Sequence, residues 1–190
     1  MEWRLADYSQ YDLKSLRFAI YGGQAVPREF LVKMKAMAPR IGTGLGLTET
    51  AGFCTYTNVD ADVDELGQGI GYDSPLCPIS IRDFMKADGT AGAEKPKGEV
   101  GEICFSGPQV FLGYLGDPEN TAKTVSKDGI CYTGDVGHYD EKGLHFSGRA
   151  KLVIKPKGYQ VFPEDVESHI HGKLKDKVSM VAVIGVEHEV

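Results

Sequence analysis

Apolar and polar positions follow two different rhythms along this chain. Residues 16–21, "LRFAIY", form a compact apolar run that predicts a short buried strand of parallel type. "GGQA" then turns directly into "VPREFLVKMKAM", where Pro27 suits a first helical position and Phe30, Leu31 and Met34 share one helical face. A further brief apolar segment opens the glycine-rich "RIGTGLGLTETAGFCTYT", so the first part reads as α/β structure with loops at strand ends.

From about residue 60 to residue 147 the rhythm shortens to β-type runs split by turn signals, among them "PISIRDF", "KPKGEVGEICFSG" and "SKDGICYTGD". An antiparallel barrel or distorted sheet fits this pattern, interrupted by one short helix in "GDPENTAKTV". Next, "AKLVIKPKGYQVFP" reads as a hairpin turned at residues 156–158. Pro163, Glu164 and Asp165 open a helix with acids at its positive end, and Val166, Ile170 and Leu174 set its apolar face. "KVSMVAVIGV" is expected to close the chain as a strand. The resulting fold class is α/β plus β in three parts: 1–58 the remnant of an α/β unit, 59–149 a β-barrel unit, and 150–190 a hinge with a partial α+β lid. A lone parallel strand at one end and a lone helix with a strand at the other cannot cover a sheet, which predicts a piece of a longer protein.

Composition adds limits. With 42% hydrophobic and 25% charged residues the chain resembles an ordinary globular protein, and its formal charge of -6 argues against nucleic acid as a partner. No window approaches the roughly 20 apolar residues of a membrane span, and no basic-then-apolar leader is visible, so a cytoplasmic setting is expected. Cys54, Cys77, Cys104 and Cys131 are widely spaced without a CxxC pair, which suits reduced buried thiols better than a zinc site.

Three places carry candidate chemistry. In "TGLGLTETAG" the glycines let backbone N–H groups approach a phosphate, Thr48 adds a hydroxyl, and Glu49 offers a hard oxygen to Mg2+; a capped glycine turn would look similar. Asp135 in "YTGDVG" could accept hydrogen bonds from ribose hydroxyls, or merely cap a turn. Arg149 could reach the same sugar or a phosphate, or form a surface ion pair. His169 and His171, two apart on a helix, point apart and read as surface residues.

Order makes the difference. "YGGQAVP" (21–27), "GLGLTET" (44–50), "GEVGEICFSGPQVFLGYLGDPENTAK" (98–123), "YTGDVGHYDEKGLHFSGR" (132–149) and "KLVIKPKGYQVFPEDVE" (151–167) together resemble successive signatures of the adenylate-forming (AMP-binding) superfamily, which includes acyl-CoA synthetases. The resemblance runs from about residue 16 to residue 186. It implies ATP-dependent activation of a carboxylic acid to an acyl-adenylate, with Mg2+ as cofactor and CoA as co-substrate. Gly23, Gln24 and Ala25 match the strand-end turn beside the adenine. Leu45 stands where the family usually stacks an aromatic ring, and Gly46 lies in the same nucleotide loop. Thr48 matches the phosphate contact, Glu49 the Mg2+ ligand, Asp135 the acceptor of the ribose hydroxyls and Arg149 its neighbour. Lys151 matches the hinge of a rotating C-terminal lid, where fatty-acyl and related CoA ligases often carry Lys. Lys157 and Gly158 resemble the loop that serves the thiol step.

Two family parts are not found in these residues: a Ser/Thr/Gly-rich phosphate loop before residue 16 and the late Lys that supports adenylation. The resemblance therefore implies an acid–thiol ligase as the parent protein and little activity in these residues alone. An adenylation domain loading a carrier protein, or a non-catalytic nucleotide-binding or assembly fragment, are the competing expectations. The apolar runs at both ends also predict self-association through exposed strands.

Overall fold

The computed structural model describes residues 10–23, 26–156, 159, 161–174 and 177–186. Strand β1 (Phe18–Ile20) pairs in parallel with β2 (Arg40–Gly42), and helix α1 (Arg28–Met37) makes the crossover between them. Pro27 is extended (φ -70°, ψ 155°) and stands just before the helix, one residue earlier than expected. Phe30, Leu31 and Met34 do form its buried face. They pack with Ala38, Ile41, Ala61 and Leu66, the last from helix α2 (Val63–Leu66). Asp62 caps α2 by accepting the amides of Asp64 and Glu65, each at 2.8 Å. Strand β1 is less buried than its composition suggests. Among the described residues it has one neighbour, and Ala19 packs inward while Phe18 and Ile20 face outward and are exposed.

The β-rich part is an open sheet of four antiparallel strands in the order β10–β9–β8–β7, formed by β7 (Ile79–Arg82), β8 (Gly101–Phe105), β9 (Cys131–Asp140) and β10 (Gly143–Arg149). The distorted-sheet expectation therefore describes it better than a closed barrel. Two small ladders flank it: β3 (Gly46–Leu47) with β4 (Gly52–Phe53), and β5 (Thr55–Tyr56) with β6 (Tyr72–Asp73). Ile81, Ile103, Phe105 and Leu144 form a second core. Helix α3 (Pro118–Thr124) occupies the expected interruption, capped by Asp117.

Cys54 and Cys77 meet inside this second core as a disulfide with a Cα–Cα distance of 5.4 Å, which corrects the expectation of four reduced thiols. Cys104 and Cys131 are free and buried. Burial pushes the Cys131 thiol up to about 11, so neither nucleophilic nor metal-binding chemistry is favoured there.

After β10 the chain makes a short 3₁₀ turn at Ala150–Leu152, and Ile154 then forms an antiparallel bridge with Val161. Helix α4 (Pro163–Leu174) follows. Its inner side differs from the expected one: Val166 and Leu174 are exposed, while Pro163 is buried and Glu164, Glu167 and Ile170 are half-buried. His169 and His171 are exposed as expected. Residues 178–186 form no strand; they run without ladder partners among the described residues, tied at Val183, whose N–H donates to Glu167 Oε1 (2.8 Å). An apolar run becomes a strand only when a neighbour supplies the other half of the ladder. No helix among the described residues is long and apolar enough to cross a membrane.

Candidate functional site

A cleft of about 1170 Å³ opens between the α/β unit and the sheet. Thr48 and Glu49 line it from one side, and Asp135 and Arg149 from the other. Gly23, Leu45 and Gly46 belong to its wall as well. Gly23 holds φ +87° with nothing near its missing Cβ, so backbone conformation explains the glycine there.

The loop from Gly44 to Thr55 is built by close backbone approach. A Cβ on Gly44 would lie 1.9 Å from Thr55 O, and one on Gly46 would lie 2.3 Å from Gly52 O. These glycines are required first by the adjoining backbone of residues 52–55, before any question of a phosphate. Thr55 is fully buried and pins the loop: its Oγ1 accepts the Leu45 N–H (2.8 Å) and donates to Ile70 O (2.6 Å). At the tip, a 3₁₀ turn spans Thr48–Thr50, and the buried Thr50 Oγ1 accepts the Leu47 N–H (3.0 Å) and donates to Gly52 O (2.9 Å). Thr48 is thereby left exposed at the rim. The Tyr114 hydroxyl donates to Glu49 Oε1, and the Phe111 N–H donates to Glu49 O at 2.8 Å. Tyr114 was not expected at the site, although the "FLGYLG" segment carrying it was among the recognised motifs.

Pairing on the other wall explains how two residues fourteen apart meet. In β8–β9, Glu102 pairs with Val136 and Cys104 with Tyr132, so Ile103 alone faces Thr133, Gly134 and Asp135. The looped-out triplet is locked from both sides. Gly134 holds φ +73° and donates its N–H to Glu102 Oε1 (3.0 Å), while Thr133 Oγ1 accepts the Asp135 N–H (3.0 Å) and donates to Ile103 O (2.7 Å). A second irregularity between Phe146 and Gly148 brings Arg149 directly opposite Asp135.

Arg149 Nη1 lies 3.0 Å from Asp135 Oδ1, an ion-pair distance. The N–H is not aimed along it, however, so Oδ1 is buried without a hydrogen-bond donor. Burial raises the Asp135 carboxyl above its ordinary value; Arg149 opposes this and Glu164 adds to it. A buried carboxylate oxygen in this condition is an acceptor awaiting donors. Glu102, whose support of Gly134 was not foreseen, is likewise raised, chiefly by burial.

The hard carboxylate of Glu49 at the cleft fits a Mg2+ ion, which commonly takes one or two protein carboxylates and completes its shell with phosphates and water. Lys151 is exposed in the 3₁₀ turn and is not among the residues lining the cleft. Gln24, Ala25, Lys157 and Gly158 lie outside the described residues.

A family profile described as AMP-binding enzyme matches residues 2–115. 4-Coumarate–CoA ligase 1 of Glycine max is 34% identical over 177 residues, covering 90% of this chain and 59% of that protein. A 3-[(3aS,4S,7aS)-7a-methyl-1,5-dioxo-octahydro-1H-inden-4-yl]propanoyl:CoA ligase of Rhodococcus jostii (strain RHA1) is 37% identical over 186 residues, covering 96% of this chain and 32% of that protein. Among solved structures, O-succinylbenzoate coenzyme A synthetase from Bacillus subtilis in complex with AMP superposes with a TM-score of 0.76 at 25% identity, over 93% of this chain and 34% of that one. The chain thus spans about a third to three-fifths of the length of these relatives.

Proposed function

The chain belongs to the AMP-binding enzyme family, and from that premise we propose that it carries the nucleotide-gripping part of an ATP-dependent carboxylic acid:CoA ligase that works through an acyl-adenylate. One observation carries the reading: the donor-less buried oxygen of Asp135, paired with Arg149 on a cleft whose facing wall bears Thr48 and Glu49.

In this proposal Asp135 accepts the ribose hydroxyls, and Arg149, more than half exposed, extends over the sugar and α-phosphate. Thr48 donates its hydroxyl to phosphate oxygens. Glu49, oriented by Tyr114, would hold Mg2+, and the ion would supply charge neutralisation at the phosphates. Gly23 and Leu45 border the base, with an aliphatic surface at Leu45 in place of a stacking ring. The segment 150–190, with Lys151 in its first turn, is proposed as a lid that rotates between the adenylating and thioester-forming steps.

For the acid we favour ring-bearing substrates over linear fatty acids, because the relatives act on 4-coumarate and on a fused-ring propanoate. Much of the relatives' length lies beyond the matched region, so these residues alone are proposed to bind nucleotide with little turnover. The test is pyrophosphate release and acyl-CoA formation by the protein carrying this chain, across aromatic, fused-ring and linear acids. Release with ring-bearing acids and CoA supports the proposal. Acyl transfer only to a carrier protein would replace CoA as acceptor, and no release with any acid would overturn the ligase reading.

A further inference from the structure

On the β9–β10 hairpin, His138 pairs directly opposite His145, and Asp140, two residues on from His138, projects from the same face. We propose that these three side chains form a binding site for a divalent transition metal of the zinc class, at the rim of the cleft and separate from Glu49.

The geometry supports this at several points. One ligand atom from each residue lies within 4.8 Å of the others. His145 Nε2 is 2.9 Å from Asp140 Oδ1, and His138 Nε2 is 4.0 Å from Asp140 Oδ2, so both ring nitrogens turn toward one carboxylate. The rings are stacked at 4.4 Å with an interplanar angle of 3°. The Lys142 N–H donates to Asp140 Oδ1 at 2.7 Å, fixing the carboxylate as an outer-shell partner would. The Lys142 ammonium itself is directed to Gln68 Oε1 (3.0 Å). All three side chains are partly shielded, at 30%, 29% and 18% exposure, leaving one side open for entry.

Bonds of about 2.0–2.2 Å in a tetrahedral arrangement place ligand atoms roughly 3.3 Å apart. The cluster must therefore contract by about 1.5 Å at its widest, which rotation of the two rings about their terminal torsions can supply. Two imidazoles and one carboxylate favour Zn2+, Co2+, Ni2+ or Cu2+ over Mg2+ and Ca2+, which prefer oxygen. Three protein ligands leave a further position open to water or to an anionic ligand in the cleft, because His145 also lines it. A plain hydrogen bond accounts for His145 and Asp140, whereas His138 stacks on the His145 ring and holds its Nε2 4.0 Å from Asp140 Oδ2, beyond hydrogen-bond reach.

The test is calorimetric titration of the chelator-treated 190-residue chain with Zn2+, made on a His169→Gln/His171→Gln background to remove two other exposed imidazoles, with Co2+ as an optical probe. The expected result is one equivalent bound, a visible Co2+ band, and no displacement by excess Mg2+. His138→Gln and Asp140→Asn should each weaken binding by about tenfold or more. His138 makes no hydrogen bond within the cluster and contributes only its stack on His145, so His138→Gln should keep the fold, checked by a cooperative urea transition close to that of its parent. Absence of saturable uptake, or His138→Gln binding Zn2+ as tightly as its parent, overturns the proposal.

Discussion

Replacing Asp135 by Asn separates binding from stability. The carboxylate is 4% exposed, and its Oδ1 has no hydrogen-bond donor in the free protein. Hydrogen bonds to a charged acceptor contribute about 1.5–3 kcal/mol each. Asn keeps one acceptor oxygen for one ribose hydroxyl and presents an NH2 group to the other. One such bond is therefore lost, and affinity for AMP should fall by about 10- to 150-fold. Stability should move differently. Arg149 is 56% exposed, so losing the ion pair costs at most about 1 kcal/mol, while removing a buried charge acts in the opposite direction. The variant is expected to match its parent within about 1 kcal/mol or to exceed it.

The pH dependence follows from the same cause. Burial raises the Asp135 carboxyl above its ordinary value of 3.8, so between that value and its higher folded-state one the native protein holds more protons than the unfolded chain. The Asp135 contribution to stability therefore falls as pH rises through that window, and Asp135→Asn should flatten this part of the curve. The assays are calorimetric titration with AMP and with 2′-deoxy-AMP, and urea unfolding across acid pH. In the variant, loss of the 2′-hydroxyl should matter less than in the parent, because ligand and protein groups are coupled. Parent-like AMP affinity in Asp135→Asn would refute the argument, as would a stability loss above about 3 kcal/mol.

Reduction of the Cys54–Cys77 bond, which joins residues 23 apart, should lower unfolding free energy by about 2–4 kcal/mol in urea melts with and without reductant; thiol counting in denaturant should rise from two to four, and four at the outset would contradict the pairing. Gly44→Ala has no room for its Cβ and should cost about 1–3 kcal/mol or more, read from the same melts, whereas Gly98→Ala, with open space but φ +85°, should cost less. Phe18 and Ile20 on β1 and Met180, Ile184 and Val186 near the other end are exposed, so sedimentation should show concentration-dependent self-association. A compact monomer at every concentration would dispose of that expectation.

Much of the site was readable because its residues sit in contiguous motifs. Taken singly, Thr48, Glu49, Asp135 and Arg149 each had a bland alternative, and the ordered motifs that resemble the adenylate-forming superfamily singled them out; one cleft brings all four together. What sequence reading missed depends on pairing between distant segments. Cys54 and Cys77 look like isolated apolar positions until both enter the second core, and the glycines at 44 and 46 answer to backbone atoms of Thr55 and Gly52. The apolar run near residue 180 has β-type composition, yet composition does not provide the adjacent strand. On α4, Glu164 and Glu167 turn inward beside Ile170, so simple periodicity selected the wrong stripe.

The triplet looped out against Ile103 has a consequence for how such a chain can be altered. The ladder resumes on either flank, but two members of the excursion are fixed by the architecture: Gly134 holds φ +73°, and the buried Thr133 hydroxyl bonds Ile103 O and the Asp135 N–H. A library randomised at 133–135 should therefore lose folded clones wherever 134 is not glycine or 133 lacks a hydroxyl, whereas diversity confined to 135 should leave the architecture standing and empty it of nucleotide recognition.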